Sequence, residues 1–350
     1  MKIEFLTEDS ENEYSNFLLS QPDTLFYHSV KYKNLLKEFL NCEERYLIVK
    51  VNNSIIAALP LMLYRNSIYG NVLNSLPFFG SNGAIITHSD SIEAKRLLLD
   101  SYYQLLTSEK CVAGTLITSP FESNIEFYEA NLKCDFIDQR IGQITFLPEN
   151  ENDLMGKIHS KTRNIIRKGM GFNIRIDSTY NESSFKFLFD THKDNMTLID
   201  GLYKPESFFN LLKSNFSYGD DYLIYTAYLD NEPIAGLLNL YFNKTVEYFT
   251  PVIKSGFREC QPLSLTIYEA MKDAIRLGYK NWNWGGTWLT QDGVYEFKRK
   301  WGTTDFKYFY FSTINAKSIL SLRKEELLKN YSSFFVLPFS KLNEVKESNV

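Results

Sequence analysis

Cysteine and histidine are both scarce, with four of each among 350 residues. Cys42, Cys111, Cys134 and Cys260 are too far apart for a metal knuckle or a redox pair, and the histidines are equally dispersed. That excludes a clustered zinc site and points to a reduced, metal-free protein. A basic excess is also missing: the formal net charge is −4 and the sequence pI is about 5.7. Broad binding of nucleic acid by phosphate neutralisation is therefore disfavoured. No apolar run approaches a membrane span, since even Val252 to Leu277 is interrupted by Lys, Arg, Glu and Asp. The opening Met1 to Phe5, followed by Thr7 to Glu11, lacks the hydrophobic stretch of a secretory leader, so a cytoplasmic location is expected. Low-complexity sequence is absent.

What is present is ample core material, 44% hydrophobic and 15% aromatic. At this length two domains are the default. The chain also repeats itself. Asn34-Leu35-Leu36-Lys37 and Tyr46-Leu47-Ile48 recur as Asn210-Leu211-Leu212-Lys213 and Tyr222-Leu223-Ile224, an offset of 176 (210 − 34). Ile56-Ala57 recurs as Ile234-Ala235, offset by 178 (234 − 56), within Asn53 to Leu59 and Asn231 to Leu237. A period this long is a duplicated domain rather than a solenoid.

Each copy reads as helix, strand, tight turn, strand. The turns Asn52-Asn53 and Asp230-Asn231 use residue types that tolerate positive φ in two-residue hairpins. A third strand is expected over Thr245 to Thr250, then a strong helix from Pro262 to Leu277 stopped by Gly278. An alternating strand follows at Tyr279 to Trp284, a short helix at Val294 to Trp301, and a last strand at Phe306 to Phe311. The fold class is α/β (α+β): two tandem modules, each with a mixed, mostly antiparallel central sheet flanked by helices. The expected boundaries are 1–150 for the first domain and 151–315 for the second, joined by the polar Pro148 to Asn152. A final helix over Ala316 to Tyr331 and the apolar Phe334 to Leu337 are expected to pack back on the first domain.

Four stretches could carry chemistry. A basic helix over Asp153 to Lys168 sets His159, Arg163 and Arg167 four apart on one face, with Lys161 nearby; such a row suits a phosphate-bearing ligand or an ordinary solvated face. Met155, Ile158 and Ile165 would form its buried face. Ser255 to Leu263 leads into a helix N-terminus, but Gln261 and Leu263 stand where a pyrophosphate cradle wants glycine, so it reads as a plain loop. Trp282, Trp284 and Trp288 surround Gly285-Gly286 and could wall a pocket; Phe297-Lys298 follow, and the Lys298 ammonium could stabilise developing negative charge. The alternative there is core aromatics beside solvated lysines. His192, between Asp190 and Asp194, is a candidate general base or a structural histidine. No nucleophile elbow, Walker sequence or dinucleotide fingerprint occurs.

In order, these pieces resemble the FemABX-type transferases. Ser160-Lys161-Thr162-Arg163-Asn164-Ile165-Ile166-Arg167-Lys168 is similar to the opening of their second domain. Phe26-Tyr27-His28-Ser29 with Tyr32 resembles their first-domain opener, and Asp230 to Gly236 their central hairpin. Tyr295-Glu296-Phe297-Lys298-Arg299-Lys300-Trp301-Gly302 resembles their closing signature. The resemblance implies two GNAT-like (N-acetyltransferase-type) domains and transfer of an acyl or aminoacyl group to a primary amine. The acceptor would be a nucleotide- or lipid-linked sugar or muropeptide, which is compatible with peripheral proximity to a membrane. It implies Lys298 and Phe297 near the reacting carbonyl, Lys204 near a substrate phosphate, and acyl-CoA (acetyl-CoA) or aminoacyl-tRNA as donor, with no metal. The reading is an N-acyltransferase of cell-envelope glycan or peptidoglycan precursors. Its rivals are an aminoacyl-tRNA-dependent peptidyltransferase of cell-wall cross-bridges and a catalytically silent precursor-binding protein. Candidate contacts are Arg163, Arg167, Lys161, Lys204, Tyr32 and Trp284, with Lys298, Phe297 and His192 as catalytic candidates.

Overall fold

The computed structural model describes residues 1–78, 82–83, 85–87, 91–122, 125–338 and 341–342. The chain forms two compact units, Met1–Ile141 with Lys307–Val350, and Gly142–Phe306. Each repeats one element order. In the first, strand Lys2–Phe5 leads to helices Glu11–Ser20 and Val30–Leu40, then hairpin strands Leu47–Val51 and Ser54–Leu59. In the second, strand Arg175–Asp177 leads to helices Glu182–Thr197 and Glu206–Asn215, then hairpin strands Tyr222–Leu229 and Glu232–Phe242.

The two hairpins match in detail. Asn52 and Asn53 sit at φ 48° and 63°, Asp230 and Asn231 at 49° and 66°. Side chains of this kind accept left-handed backbone because their amide or carboxylate bonds locally. Each hairpin carries a bulge at the same place. The register skips Ile56 between Val49↔Ala57 and Lys50↔Ile55, and skips Ile234 between Ala227↔Ala235 and Tyr228↔Pro233. Ile56 and Ile234 are the residues whose 178-residue offset marks the repeat. Pro233 falls at the start of its strand, where its missing N–H costs least.

In the second unit the strands run Arg175–Asp177, Tyr222–Leu229, Glu232–Phe242, Thr245–Ile253, Asn281–Thr287 in spatial order. Neighbours are antiparallel except the last pair, which is parallel. Helix Pro262–Arg276 buries Ile267, Ala270, Met271 and Ala274 against Leu237, Val246, Trp282 and Trp284. The closing helix is Asp292–Arg299, two residues earlier than the sequence suggests. In the first unit, helix Ile92–Ser108 covers Leu63, Leu73 and Leu116 in the same manner. Strand Asn71–Asn74 runs parallel to Cys111–Ile117.

Two local expectations need correction. The basic segment is not one helix: Leu154–Lys157 ends, Ile158 and His159 are extended, and Ser160–Met170 begins anew. His159 is the N-cap of the second piece, its Nδ1 accepting the Lys161 N–H at 3.2 Å. Ile158 is buried in the core with Met155 packed against it, as expected, but within the second piece the buried residues are Thr162, Ile166 and Gly169 rather than Ile165, because the register restarts at Ser160. The final helix over Ala316 to Tyr331 is likewise two pieces, a 3-10 turn Lys317–Ser321 and helix Lys324–Asn330.

Candidate active site

Thr245–Ile253 and Asn281–Thr287 pair in parallel only at Thr245↔Asn281, Val246↔Trp282 and Glu247↔Asn283. Beyond that row the strands part and form a fork. At the same level Thr245–Ile253 carries a bulge: Leu238 faces Thr250 and Asn239 faces Tyr248, leaving Phe249 over. A bulge re-aims side chains and ends ladder pairing, which is why such irregularities gather beside sites. The far end of the strand is held by Asn195, whose amide both donates to the Ile253 carbonyl (2.9 Å) and accepts its N–H (3.1 Å).

Side chains alternate across a strand. Val246 and Trp282 pack toward helix Pro262–Arg276, so Glu247 and Asn283 point to the opposite face. Both are buried, and the Asn283 amide donates to the Glu247 carboxylate at 2.9 Å. Asn283 Oδ1 in turn accepts the Gly285 N–H at 2.9 Å, and Gly285 itself takes φ 70°. Glycine permits that left-handed turn at low cost.

Lys298 completes this arm. Its ammonium donates to Thr287 Oγ1 (2.9 Å), the Gly286 carbonyl (3.1 Å) and the Gly285 carbonyl (3.4 Å). Only 6% of Lys298 is exposed, and burial pushes its pKa down to about 8. The Thr287 hydroxyl donates to Gln143 Oε1 at 3.3 Å. The ammonium thus sits beside the fork with all three protons in use, a cation fixed in place rather than a solvated lysine. Phe297 is 37% exposed and meets Trp284 edge-on at 6.1 Å. Trp284 is buried, with its indole N–H on Thr145 Oγ1 at 2.9 Å, and Thr145 donates to the Trp301 carbonyl at 3.1 Å. Gly302, at φ 76°, lies where a Cβ would stand 2.6 Å from the Lys157 carbonyl oxygen. The closing helix is therefore anchored closely at its C-terminal end.

A second cluster surrounds Phe249. Lys204 is buried, its ammonium 4.6 Å from the centre of the Phe249 ring, and desolvation lowers its pKa to about 8. His192 is buried, and its Nε2 accepts the Lys204 backbone N–H at 3.1 Å. Burial, with the Lys204 charge second, lowers the imidazole pKa to about 4. Its one acceptor lone pair is engaged, so the neutral ring orders the Lys204 backbone and is not poised as a base. That corrects the expectation of His192 as general base.

The remaining candidates are not gathered with these. Arg163 spends its guanidinium on the Ile158 (3.2 Å) and Met155 (3.5 Å) carbonyls, capping the broken helix. Arg167 is exposed and donates to Asn164 Oδ1, and Lys161 is exposed. Tyr32 belongs to the first unit and is fully buried, its ring 5.7 Å from Phe26 and 5.4 Å from Tyr27. It is core there, not a surface that a substrate could touch. Residues the sequence reading missed are Glu247, Asn283, Thr287 and Asn195. Their signal is weak, a polar residue inside an otherwise apolar strand, as in Val246-Glu247-Tyr248-Phe249.

Among the described residues no three His, Cys, Asp or Glu side chains converge to hold a metal ion, and no helix is long and apolar enough to cross a membrane. Residues 156–299 match the family described as acetyltransferase (GNAT) domain. No curated protein matches the chain. Among solved structures it is similar to that of FemX, with a TM-score of 0.75 at 14% identity over 91% of this chain and 98% of that one. It is also similar to L-PGS from Bacillus licheniformis, with a TM-score of 0.55 at 10% identity over 88% of this chain and 92% of that one. A third is the C-terminal domain of a putative lysylphosphatidylglycerol synthetase from Agrobacterium fabrum, with a TM-score of 0.53 at 10% identity over 91% and 96%. The chain therefore has a FemABX/GNAT-like fold, with the matched acetyltransferase-type domain lying within its second unit.

Proposed function

We propose that the chain transfers an acyl or aminoacyl group to a primary amine of a cell-envelope glycan or peptidoglycan precursor, at the fork of the second unit. The observation that carries this reading is the Lys298 ammonium, buried and bonded to Gly285, Gly286 and Thr287 where the parallel strands part. The acceptor amine attacks the carbonyl carbon of a thioester or ester. The carbonyl oxygen becomes an oxyanion, and collapse expels the thiolate or alkoxide. A preorganised cation is worth most where charge develops in a dry site. Lys298 supplies it by turning the proton of its longest bond, to the Gly285 carbonyl, toward the oxyanion. Glu247, a buried carboxylate at the apex, is the group suited to receive the ammonium proton of the acceptor. Phe297, exposed and braced edge-on by the buried Trp284 ring, forms an apolar wall beside the reacting carbon. Lys204 offers a buried cation for substrate phosphate, and Lys161 and Arg167 offer exposed ones.

One observation favours an aminoacyl ester over CoA as donor. Helix Pro262–Arg276 begins on a proline with no N–H, after Gln261 held at φ 56°. A pyrophosphate binds such a helix start through free amides, so this one offers less than usual. Supplying acetyl-CoA and charged tRNA in turn tests the choice: a ribonuclease-sensitive transfer selects the ester. Transfer from acetyl-CoA alone would reverse that preference.

A further inference from the structure

The first unit has its own fork, built from the same elements. Strands Asn71–Asn74 and Cys111–Ile117 run parallel, and their last pair is Asn74↔Thr115. That row corresponds to Glu247↔Asn283 in the second unit, the last pair before the strands part. Leu73 and Leu116 pack toward helix Ile92–Ser108, so Asn74 and Thr115 face the opposite side, as Glu247 and Asn283 do.

The occupants differ. In the second unit the two apex side chains bond to one another. In the first they hold a peptide. Asn74 accepts the Phe335 N–H at 2.6 Å and donates to the Phe335 carbonyl at 2.8 Å, and Thr115 Oγ1 donates to the same carbonyl at 3.1 Å. The fork itself is stitched by Ser75, whose N–H reaches the Thr115 carbonyl (2.9 Å) and whose hydroxyl takes the Ile117 N–H (2.7 Å). The bound segment is anchored by rings: Phe334 lies 5.0 Å from Tyr64, and Phe335 lies 4.9 Å from Tyr310. Tyr331 adds a hydrogen bond from its hydroxyl to the Gly70 carbonyl at 2.9 Å. One asparagine thus clamps both the N–H and the C=O of a single residue, Phe335, two neighbouring peptide groups held by side chains as a bound peptide is held.

We propose that Tyr331–Leu337 is the resident ligand of the first unit's fork, a peptide standing where the acyl donor stands in the second. The donor comparison rests on the function proposed above; the occupancy of the first fork does not. Duplication would otherwise leave two equivalent forks in one chain, and the C-terminal segment closes one of them.

The test uses the full-length chain and a labelled peptide of sequence Tyr-Ser-Ser-Phe-Phe-Val-Leu-Pro, that of residues 331–338. Phe335→Pro in the chain removes the N–H that Asn74 accepts and loosens the resident segment. The free peptide should then bind the variant at least ~10-fold more tightly than it binds the unaltered chain. A peptide carrying the same proline should lose that gain. Equal binding of both peptides, or no gain over the unaltered chain, overturns the proposal. Asn74→Ala gives an independent reading by hydrogen exchange, should the proline variant not fold. Exchange across residues 331–338 should rise at least ~10-fold while residues 281–287 of the second unit stay unchanged. Unaltered exchange in 331–338 overturns the proposal. Loss of acyl transfer in the second unit would leave both readouts standing, so the two readings fail separately.

Discussion

Lys204→Met should make the protein more stable and a poorer binder. In the folded chain the Lys204 pKa falls from 10.5 to about 8 because the ammonium is desolvated. A tenfold change in proton affinity corresponds to about 1.4 kcal/mol, so holding the charge at neutral pH costs on the order of 3 kcal/mol. The Phe249 ring, 4.6 Å away, returns roughly 0.5–2 kcal/mol of that as a cation–π contact. A methionine of similar length avoids the cost and keeps the packing, as when buried ions elsewhere are replaced by apolar side chains. The expected gain is about 1–2 kcal/mol, roughly 2–8 °C in Tm for a domain of ordinary size. The direction with pH follows from the depressed value. The unfolded chain binds more protons between pH 8 and 10.5, so the unaltered protein gains stability across that window and the advantage of methionine shrinks. Thermal melts at about pH 7, 8.5 and 10 measure this directly. A methionine variant that is less stable at neutral pH, or a difference flat with pH, refutes the reasoning. The same variant should bind an anionic precursor at least ~10-fold more weakly.

Other outcomes follow from the same geometry. Lys298→Met should lower turnover by about 10²–10³-fold, the usual cost of one oxyanion donor. The activity of the unaltered chain should decline as pH rises through about 8, where the Lys298 ammonium loses its proton; a rate that climbs there would make the neutral amine the active form. Glu247→Gln keeps an acceptor for Asn283 but removes the base, so kcat should fall about 10²-fold or more with Tm little altered. His192 has its pKa lowered from 6.5 to about 4 by burial, so the folded state resists the proton that the unfolded state accepts. Stability should drop by on the order of 3 kcal/mol as pH falls from 6.5 to 4, and His192→Gln should flatten that slope in acid titrations. Gly302→Ala forces a Cβ into the left-handed region and against the Lys157 carbonyl, so chemical denaturation should show a loss of about 2 kcal/mol or more.

The fold was legible wherever local chemistry decides. Asn52-Asn53 and Asp230-Asn231 announce their turns because few residue types accept positive φ. The Pro262–Arg276 helix announces itself by a proline at its first position, helical spacing of apolar residues, and a following glycine. The break at Ile158–His159 was not legible, since a charged helical pattern continues through it and only the His159 cap marks the restart. At the site, Lys298 and Phe297 stood out through a signature, but nothing local fixes the partners of Lys298. Its bonds to Gly285, Gly286 and Thr287 depend on how a helix folds back onto the strand before it. Glu247 was invisible for a similar reason: its meaning lies in the parallel register with Asn283, 36 residues on, and pairing of that range is set by tertiary packing. Tyr32 and His192 misled because a motif residue looks the same whether it faces substrate or core.

Transfer to an amine at the second unit's fork is the central claim, and the most direct measurement is the mass of the acceptor. Purified chain is incubated with an amine-bearing glycan or muropeptide precursor and either donor, and the precursor is weighed by mass spectrometry. An added acyl or aminoacyl group in amide linkage, lost when Lys298 is replaced by methionine, is the predicted result. An unmodified precursor with every donor, bound tightly by the protein all the same, would contradict it and leave a binding protein on a transferase fold.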